Sequence, residues 1–387
     1  MHALAALFLD TYRQINNQKL FWLTLILSGL VVAAFAAVGI DENGLSILWW
    51  EVGSFDGALT SDVLPPDQLY KQMFVNFGIN VWLAWAATIL ALVSTAGMIP
   101  SFIAGGAVEL TLSKPVGRIP LFLMKFAMGL LFTALQVTVF TSACFLVIGV
   151  RGGSWEPGIF LAVPLVVVFY SYLFSICALL GLVTRSTIAA LLLTLLIWFG
   201  LFVVNASDAV VTSFRVGSEM RLEDGEKRLE RWERSARQRL EEQWRSENPD
   251  GGPMPEPTPE RLASRDVRIA ETRESLAKTR KNLSRLRFFS DTVYAAKTVL
   301  PKTSETIDLL KRTTLEEIRT GGPGEPPEDD DTLMDLSNMS RAEREEMAKR
   351  TEAELAGRPV WWVLGTSLAF EAAVLAIACW IFLRRDF

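Results

Sequence analysis

Long apolar runs alternate with short polar segments along most of this chain. Five runs contain no Asp, Glu, Lys or Arg and a sixth contains only Glu371; they cover residues 20–40, 72–108, 126–150, 157–184, 186–207 and 361–383. A helix needs about 20 apolar residues to cross the hydrocarbon core of a bilayer, and its backbone groups must hydrogen-bond internally there. The pattern predicts an all-α polytopic membrane protein with six transmembrane helices, at about 20–40, 76–98, 121–149, 157–182, 187–205 and 360–383.

Residues 3–18 carry a helical period before the first predicted span. Their apolar side chains recur at steps of three or four residues, at Leu4, Leu7, Phe8, Tyr12 and Ile15. An amphipathic helix of this kind lies in the membrane interface. We predict an N-terminal elbow helix, which either anchors the chain or couples interfacial motion to the first span.

A large polar insertion, residues 206–358, separates the fifth and sixth predicted spans and holds most of the charged residues, with both signs mixed. Opposite charges four residues apart and apolar residues seven apart predict two long helices, at about 209–247 and 260–298. A break rich in proline and glycine joins them. We predict an antiparallel coiled-coil hairpin over about 209–298; two solvated single helices are the alternative.

The rest of the insertion contains a linker and a short helix. Residues 321–331 form an acidic stretch rich in proline and glycine, which predicts disorder. Ser340 and Glu343 have the spacing of a capping box, which predicts a helix that runs to about Ala356.

The basic residues of the short loops predict the orientation of the chain. Eight lie on one side of the predicted membrane and two on the other; the eight are Arg13, Lys19, Lys114, Arg118, Lys125, Arg185, Arg384 and Arg385. The positive-inside rule places that side in the cytoplasm. We therefore expect a multi-pass protein of the inner membrane with both termini cytoplasmic. Its three parts are residues 1–205, the extracytoplasmic insertion 206–358, and the last span with its tail, 359–387.

Several kinds of chemistry are disfavoured by composition. The only histidine is His2, so a histidine-based metal site or a Ser-His-Asp triad is not expected. No G-x-x-x-x-G-K-[ST] sequence occurs, so this chain builds no P-loop. The mixed charges of the insertion argue against nucleic-acid binding. We predict a non-enzymatic chain with no catalytic residue, metal or cofactor of its own.

Polar residues inside the predicted spans are candidates for a functional role. Glu371 lies near the middle of the last span, where an ionised carboxylate costs several kcal/mol unless it faces the bundle. It either lines a translocation path or hydrogen-bonds to a neighbouring helix. Asn80 and Gln136 are milder candidates for the same two roles.

Outside the predicted membrane, an apolar patch around Leu300 and Pro301 precedes the linker. A patch of this kind close to the outer face of the membrane suggests a re-entrant segment or a gate-forming turn. We take Leu300 and Pro301 as candidate outer-gate residues.

The segment between the second and third predicted spans combines a glycine pair with a basic end. Gly105-Gly106 gives a flexible break, residues 107–114 can form a short helix, and Pro115 ends it before Arg118. A short helix parallel to the membrane is what a permease needs in order to receive force from a soluble ATPase. An ordinary basic inner loop is the alternative interpretation.

This segment resembles the first inner loop of permease subunits of ABC-2-type transporters. The family pattern G-T-[ILV]-[DE]-L-L-L-[SA]-K-P-[VI]-[ST]-R is similar to residues 106–118, GAVELTLSKPVGR. Lys-Pro-x-x-Arg is intact, whereas Ala107, Thr111 and Gly117 depart from the pattern. The amphipathic start, the six spans and a Leu-Pro-Lys-Thr turn before the last span are also similar, but residues 215–287 have no counterpart in the family.

The resemblance implies that residues 101–118 form a coupling helix that docks on a separate ATP-binding subunit. The residues it assigns to this contact are Gly106, Glu109, Leu112, Lys114, Pro115 and Arg118. It also implies a second permease chain, identical or different, with ATP and Mg bound by the partner subunits. Transport would be by alternating access, and we expect export.

Two other functions are compatible with the sequence. In the first, the spans only anchor or transmit force, and the outer hairpin binds an extracytoplasmic partner as a scaffold. In the second, the chain is an ion-coupled transporter that uses Glu371 and needs no ATPase. Weak internal inverted repeats would favour the second, and the sequence shows none.

Overall fold

The structure, a computed structural model, describes residues 19–41, 44–47, 50–53, 65–104, 117–249, 252–310 and 340–384. The chain divides into two units. We call the described residues up to 203, together with 299–310 and 359–384, the apolar unit; those within 204–298 and 340–358 form the polar unit. The predicted elbow helix 3–18 and the linker 321–331 lie outside the described residues.

The described residues are mostly helical. In chain order the helices are α1 Lys19–Ala37, α2 Pro66–Met73, a π-helix Phe74–Ala87, α3 Thr88–Thr95, α4 Met98–Ala104, α5 Arg118–Arg151, a 3₁₀ turn Pro157–Leu161, α6 Ala162–Thr184, α7 Thr187–Glu247, α8 Pro259–Arg265, α9 Val267–Val299, α10 Arg341–Ala356 and α11 Val360–Arg384. Residues 303–310 are also helical.

Six helical stretches of the described residues are long and apolar enough to cross a membrane, which confirms the predicted number of spans. They begin at Lys19, Pro66, Arg118, Pro157, Thr187 and Val360. Large apolar side chains on them point away from the interior; Ile26, Val150 and Ile188 are 66, 75 and 71 % exposed. Such a surface suits contact with lipid chains better than contact with water.

The second span is irregular. Its helical stretch begins at Pro66, earlier than predicted, and includes the π-helix, α3 and α4. It also extends past the predicted end at residue 98, to Ile103. A turn at residues 96–97 separates α3 from α4, so Pro100 lies in the first turn of a new helix, where its missing N–H removes no hydrogen bond.

A three-stranded antiparallel sheet follows α1, which the apolar pattern did not predict. Its strands are β1 Val38–Asp41, β2 Gly44–Ile47 and β3 Trp50–Gly53, in the order β1-β2-β3. The Tyr70 hydroxyl donates a hydrogen bond to the Val38 carbonyl at 2.6 Å, and Arg151 donates to the Ala36 carbonyl. The first contact holds β1 against α2, and the second holds the end of α1 against the end of α5.

Close aromatic packing builds the core of the apolar unit around α5 and α6. The ring of Phe174 stacks on Phe126 at 5.1 Å and on Tyr170 at 5.6 Å between centroids. A Cβ atom at Gly129 would lie 2.4 Å from the Phe174 ring. Glycine at this position therefore lets α5 approach α6 closely enough for the stack.

Helix α7 extends further than the sequence indicated. We predicted a span that ends near residue 205 and a separate helix from about 209, but α7 runs as one helix from Thr187 to Glu247. Residues 201–216 contain no proline or glycine, so nothing in this stretch interrupts the helix. The helix therefore continues where the sequence changes from apolar to charged residues.

The second predicted helix of the insertion, 260–298, is instead two helices, α8 and α9, that meet at Asp266. Asp266 is extended, with φ −140°, and its carboxylate accepts hydrogen bonds from the Arg268 backbone N–H and side chain. The residue therefore caps the start of α9. These bonds from Arg268 hold the pKa of the Asp266 carboxyl low, at about 2.

Ion pairs show that α9 lies antiparallel to the polar part of α7. Arg287, Arg280 and Arg273 on α9 bind carboxylates that step in the opposite direction along α7, at Glu219, Glu226 and Glu233. Each step is seven residues on both helices, which is the repeat of a coiled coil. Ala236, Leu240 and Ile269 are buried beside these pairs, and the Leu276 side chain covers Gly225.

Helix α10 begins at the predicted capping box and packs on α7. The Ser340 side chain accepts from the Glu343 N–H, and the Glu343 carboxylate accepts from the Ser340 N–H. Along α10, Arg350 pairs with Glu223 at 3.2 Å and Glu354 with Arg215.

A buried ion triad lies within the polar unit and joins a residue of α7, a residue of α9 and a residue just after α10. Lys297 Nζ lies 2.8 Å and Arg358 Nη1 2.7 Å from the same oxygen of Asp208, and the Asp208 side chain is 3 % exposed. Three of the unit's four boundaries are at residues 204, 298 and 358, and each member of the triad lies within four residues of one of them. The triad therefore ties three chain ends together.

Replacing Asp208 with Asn should destabilise the chain strongly, by about 3–5 kcal/mol, because two buried cations would then face an uncharged amide. Thermal unfolding of the full chain in detergent micelles, followed by far-UV circular dichroism, measures the effect. As a control, Glu230→Gln breaks an exposed pair with Arg234 and should cost at most about 0.5 kcal/mol.

A double variant distinguishes loss of the triad from a general folding defect. Adding Lys297→Met to Asp208→Asn removes one of the two facing cations and should recover part of the lost stability. If Asp208→Asn is as mild as Glu230→Gln, the triad does not hold the unit together.

Candidate functional site

The predicted coupling segment is described only at its end. Gly106, Glu109, Leu112, Lys114 and Pro115 lie outside the described residues. Arg118 begins α5, and its guanidinium donates a hydrogen bond of 3.1 Å to the Leu383 carbonyl. Leu383 lies in the last turn of α11, where carbonyl groups have no partner within the helix. The end of the inner segment is thus bound to the end of the sixth span.

A second basic residue on α5 is buried. The ammonium group of Lys125 lies 5.3 Å from the ring centroid of Phe102 on α4, and Lys125 is only 7 % exposed. A cation over an aromatic face is stabilised by the ring quadrupole. This contact holds α4, which leads into the inner segment, against α5, which follows it.

Glu371 is buried on α11 and contacts α6. The Ser171 hydroxyl oxygen lies 2.7 Å from Glu371 Oε2 and 2.8 Å from the Val168 carbonyl oxygen. Ser171 has one hydroxyl hydrogen to donate. Both short contacts are satisfied at once if Glu371 is protonated and donates to Ser171, while Ser171 donates to Val168. The geometry agrees with the predicted contact to a neighbouring helix; the path-lining role stays a hypothesis.

The outer turn at Leu300 and Pro301 is held against the sixth span by the next residue. The Lys302 backbone N–H donates to Ser367 Oγ at 2.9 Å, and its ammonium group donates to Thr366. The ammonium also lies 4.3 Å from the Trp362 ring centroid. Pro301 is buried and Leu300 half-buried, so the turn is packed into the apolar unit, while a gating role remains a prediction.

Lys302 was missed as a site residue by sequence reasoning. It is 1 % exposed although lysine is seldom buried fully. A signal existed, because Lys302 is a charged residue directly after proline within an otherwise apolar patch. The ammonium group of Lys302 contacts a hydroxyl, a backbone carbonyl and an aromatic face. The hydroxyl and the aromatic ring belong to residues 60 or more positions away, so the sequence alone does not show these contacts.

A tyrosine completes the polar cluster between α6, α11 and residues 301–310. Tyr172 is fully buried and faces Thr306, Ser367 and Glu371. Its hydroxyl lies at hydrogen-bonding geometry to no described atom. Thr306 donates to the Lys302 carbonyl at 2.8 Å. The cluster therefore combines hydroxyl groups with the Glu371 carboxyl and the Lys302 ammonium group.

The two milder candidates lie elsewhere in the apolar unit. Gln136 on α5 is buried and donates to the Thr24 hydroxyl on α1, as expected for a helix–helix contact. It lines a small cavity with Ser28 and Trp82. Asn80 is half-buried on the π-helix and lines a cleft of about 260 Å³.

The polar contacts described above join helices to one another. Among the described residues, no group of three or more His, Cys, Asp or Glu side chains could hold a metal ion. The polar contacts converge on α11, which binds Arg118 at one end and Ser171 and Lys302 further along. No family model, curated protein or solved structure matches the chain.

Replacing Glu371 with Gln should leave the thermal stability of the purified chain nearly unchanged, because an amide N–H can donate to Ser171 as a protonated carboxyl does. Glu371→Asp should lower the stability by about 1 kcal/mol, because the shorter side chain does not reach Ser171. Thermal unfolding in detergent micelles compares the two variants. If Gln is as harmful as Asp, an ionised carboxylate is required and the protonated contact is wrong.

Proposed function

We propose that this chain is the membrane-spanning permease subunit of an ABC-2-type transporter. It would work in the inner membrane, with both termini in the cytoplasm, beside a separate ATP-binding subunit and a second permease chain. The partner would bind ATP and Mg, and the permease chains would form the export path. No covalent chemistry is assigned to this chain.

The observation that carries the proposal is the segment 106–118, which lies between the second and third spans and ends at Arg118. Its sequence has the glycine, acidic and Lys-Pro-x-x-Arg positions expected of a coupling helix. The hydrogen bond from Arg118 to Leu383 supports a mechanical role, because a displacement of this segment would act directly on the end of α11.

Contacts along α11 offer a route for such a displacement through the apolar unit. From Leu383 the helix leads to Glu371, which contacts α6, and then to Ser367 and Thr366, which bind Lys302 beside the outer turn. A chain of packed polar contacts is one physical means of coupling distant sites. In our proposal, ATP-driven motion of the inner segment reaches the outer turn through α11.

A second candidate function is favoured by the polar unit. The seven-residue ladder of ion pairs between α7 and α9 and the Asp208 triad make this unit well suited to bind a partner or transmit force. In this hypothesis the insertion is an extracytoplasmic coiled-coil hairpin and the spans carry no cargo.

The double variant Glu109→Gln, Arg118→Gln tests the coupling assignment. We expect normal membrane insertion but at least a tenfold loss of the vanadate-sensitive ATP hydrolysis that copurifies with the chain from its native membrane. A tenfold weaker binding of the partner corresponds to about 1.4 kcal/mol. The readouts are size-exclusion chromatography and the rate of phosphate release.

Arg185→Gln is the matched control, because Arg185 is an exposed basic residue in a different predicted inner loop, between α6 and α7. It should leave the copurifying hydrolysis unchanged. Equal hydrolysis in the double variant and the control would count against a coupling helix at 101–118.

A further inference from the structure

A small cavity lies inside the apolar unit, between α1, the second span, α5 and α6. The space that the centre of a water molecule can occupy there is about 10 Å³, which is close to the least that holds one water molecule. The side chains around it are partly apolar. Those with a polar group are Thr24, Ser28, Trp82, Thr88, Thr133 and Gln136.

The amide of Gln136 has one group that is satisfied and one that is left over. The Thr24 hydroxyl has a single hydrogen, which it donates to the Phe21 carbonyl at 2.8 Å. Gln136 therefore faces Thr24 with its NH2 group, which donates to the Thr24 oxygen. The Gln136 carbonyl oxygen then has no hydrogen-bond partner among the described residues. It is an acceptor without a donor.

Two further polar groups around the cavity lack a partner in the part of the chain that the structure describes. The Trp82 indole N–H is shielded from solvent and donates to no atom. The Ser28 hydroxyl makes no hydrogen bond, although Ser28 is only 8 % exposed. A polar group that is removed from water costs free energy unless it finds a new partner, and hydrocarbon provides none. The cavity is thus lined by a donor and two acceptors that are all unused.

We propose that one water molecule is bound in this cavity and joins three spans. Its oxygen accepts a hydrogen bond from the Trp82 N–H of the π-helix, and its two hydrogens are donated to the Gln136 carbonyl of α5 and the Ser28 hydroxyl of α1. Buried water molecules make about three hydrogen bonds of this kind, to groups that would otherwise be unsatisfied.

The bound water gives α1 a second polar contact with the rest of the apolar unit. The first is the hydrogen bond between Gln136 and Thr24. Large apolar side chains of α1, among them Ile26 and Leu30, are exposed, so apolar packing alone leaves its rotation weakly specified. Thr24 and Ser28 are one helical turn apart, and together their contacts fix which face of α1 points into the unit.

Other occupants suit the cavity less well. None of the described residues that line it carries a formal charge, so neither a cation nor an anion would find an opposite charge there. Cavities that stay dry are lined by apolar groups only, whereas this one has unused donors and acceptors. The inference goes beyond the proposed function and does not depend on it, so the two can fail separately.

Nuclear magnetic resonance of the full chain in lipid nanodiscs tests the proposal. The protein is perdeuterated, and its tryptophan side chains are labelled with nitrogen-15. The Trp82 indole signal is identified by its loss in Trp82→Phe. A water-selective nuclear Overhauser spectrum should then show a cross-peak between water and the Trp82 indole proton, with the sign of bound rather than freely diffusing water.

Three variants separate the cavity from general effects. Gln136→Leu removes an acceptor of the water molecule, and Ser28→Val fills its space; both should lose the cross-peak. Because Gln136 has no hydroxyl, its loss cannot be the removal of a hydroxyl proton that exchanges with water. Ser175→Ala changes a buried serine of α6 outside the cavity and should keep the cross-peak. The other indole signals check that each variant is folded.

The proposal is overturned if the wild-type chain shows no such cross-peak at Trp82, or if the cross-peak keeps its intensity in Gln136→Leu or in Ser28→Val. Its loss in Ser175→Ala would also overturn the proposal, because the signal would then not depend on this cavity. No ATPase or transport is involved, so a missing ATP-hydrolysing partner would not affect the result.

Discussion

The sixth span, α11, is held by polar contacts inside an apolar unit, and the rest of the structure depends on them. Thr366, Ser367 and Glu371 on α11 bind Lys302 and Ser171 from two other parts of the chain. A hydrogen bond between spans has no strong competition from water, although its net strength is modest. Several such bonds on one helix fix its rotation and depth. Arg118 then connects the same helix to the predicted coupling segment.

The polar unit relies on charge in a different way. Exposed ion pairs between α7 and α9 contribute little each but set the register through a repeated seven-residue step. The triad of Asp208, Lys297 and Arg358 is buried, so water does not compete for its charged groups. It therefore holds the chain ends of the unit together. In this unit the weak exposed pairs set the register, and the buried triad holds the chain ends.

The sequence predicted the features that depend on long uniform patterns. The six spans and the helix start at Ser340 follow from uncharged length and a local capping motif. Features that depend on contacts between residues distant in the sequence could not be predicted. Examples are the burial of Lys302 and the triad that joins Asp208 to Arg358. The sheet after α1 was missed because its strands have four residues each, and the π-helix because its apolar residues fit an α-helix equally well.

We propose that an ATP-hydrolysing partner binds the inner segment and moves α11 through it. The most direct measurement places a photoreactive p-benzoylphenylalanine at position 109 in cells, with Trp361, an exposed residue at the other end of α11 from Leu383, as the control position. After irradiation, the account predicts that mass spectrometry identifies a nucleotide hydrolase attached at 109 and none at 361. Crosslinks from 109 that reach only lipid would contradict it.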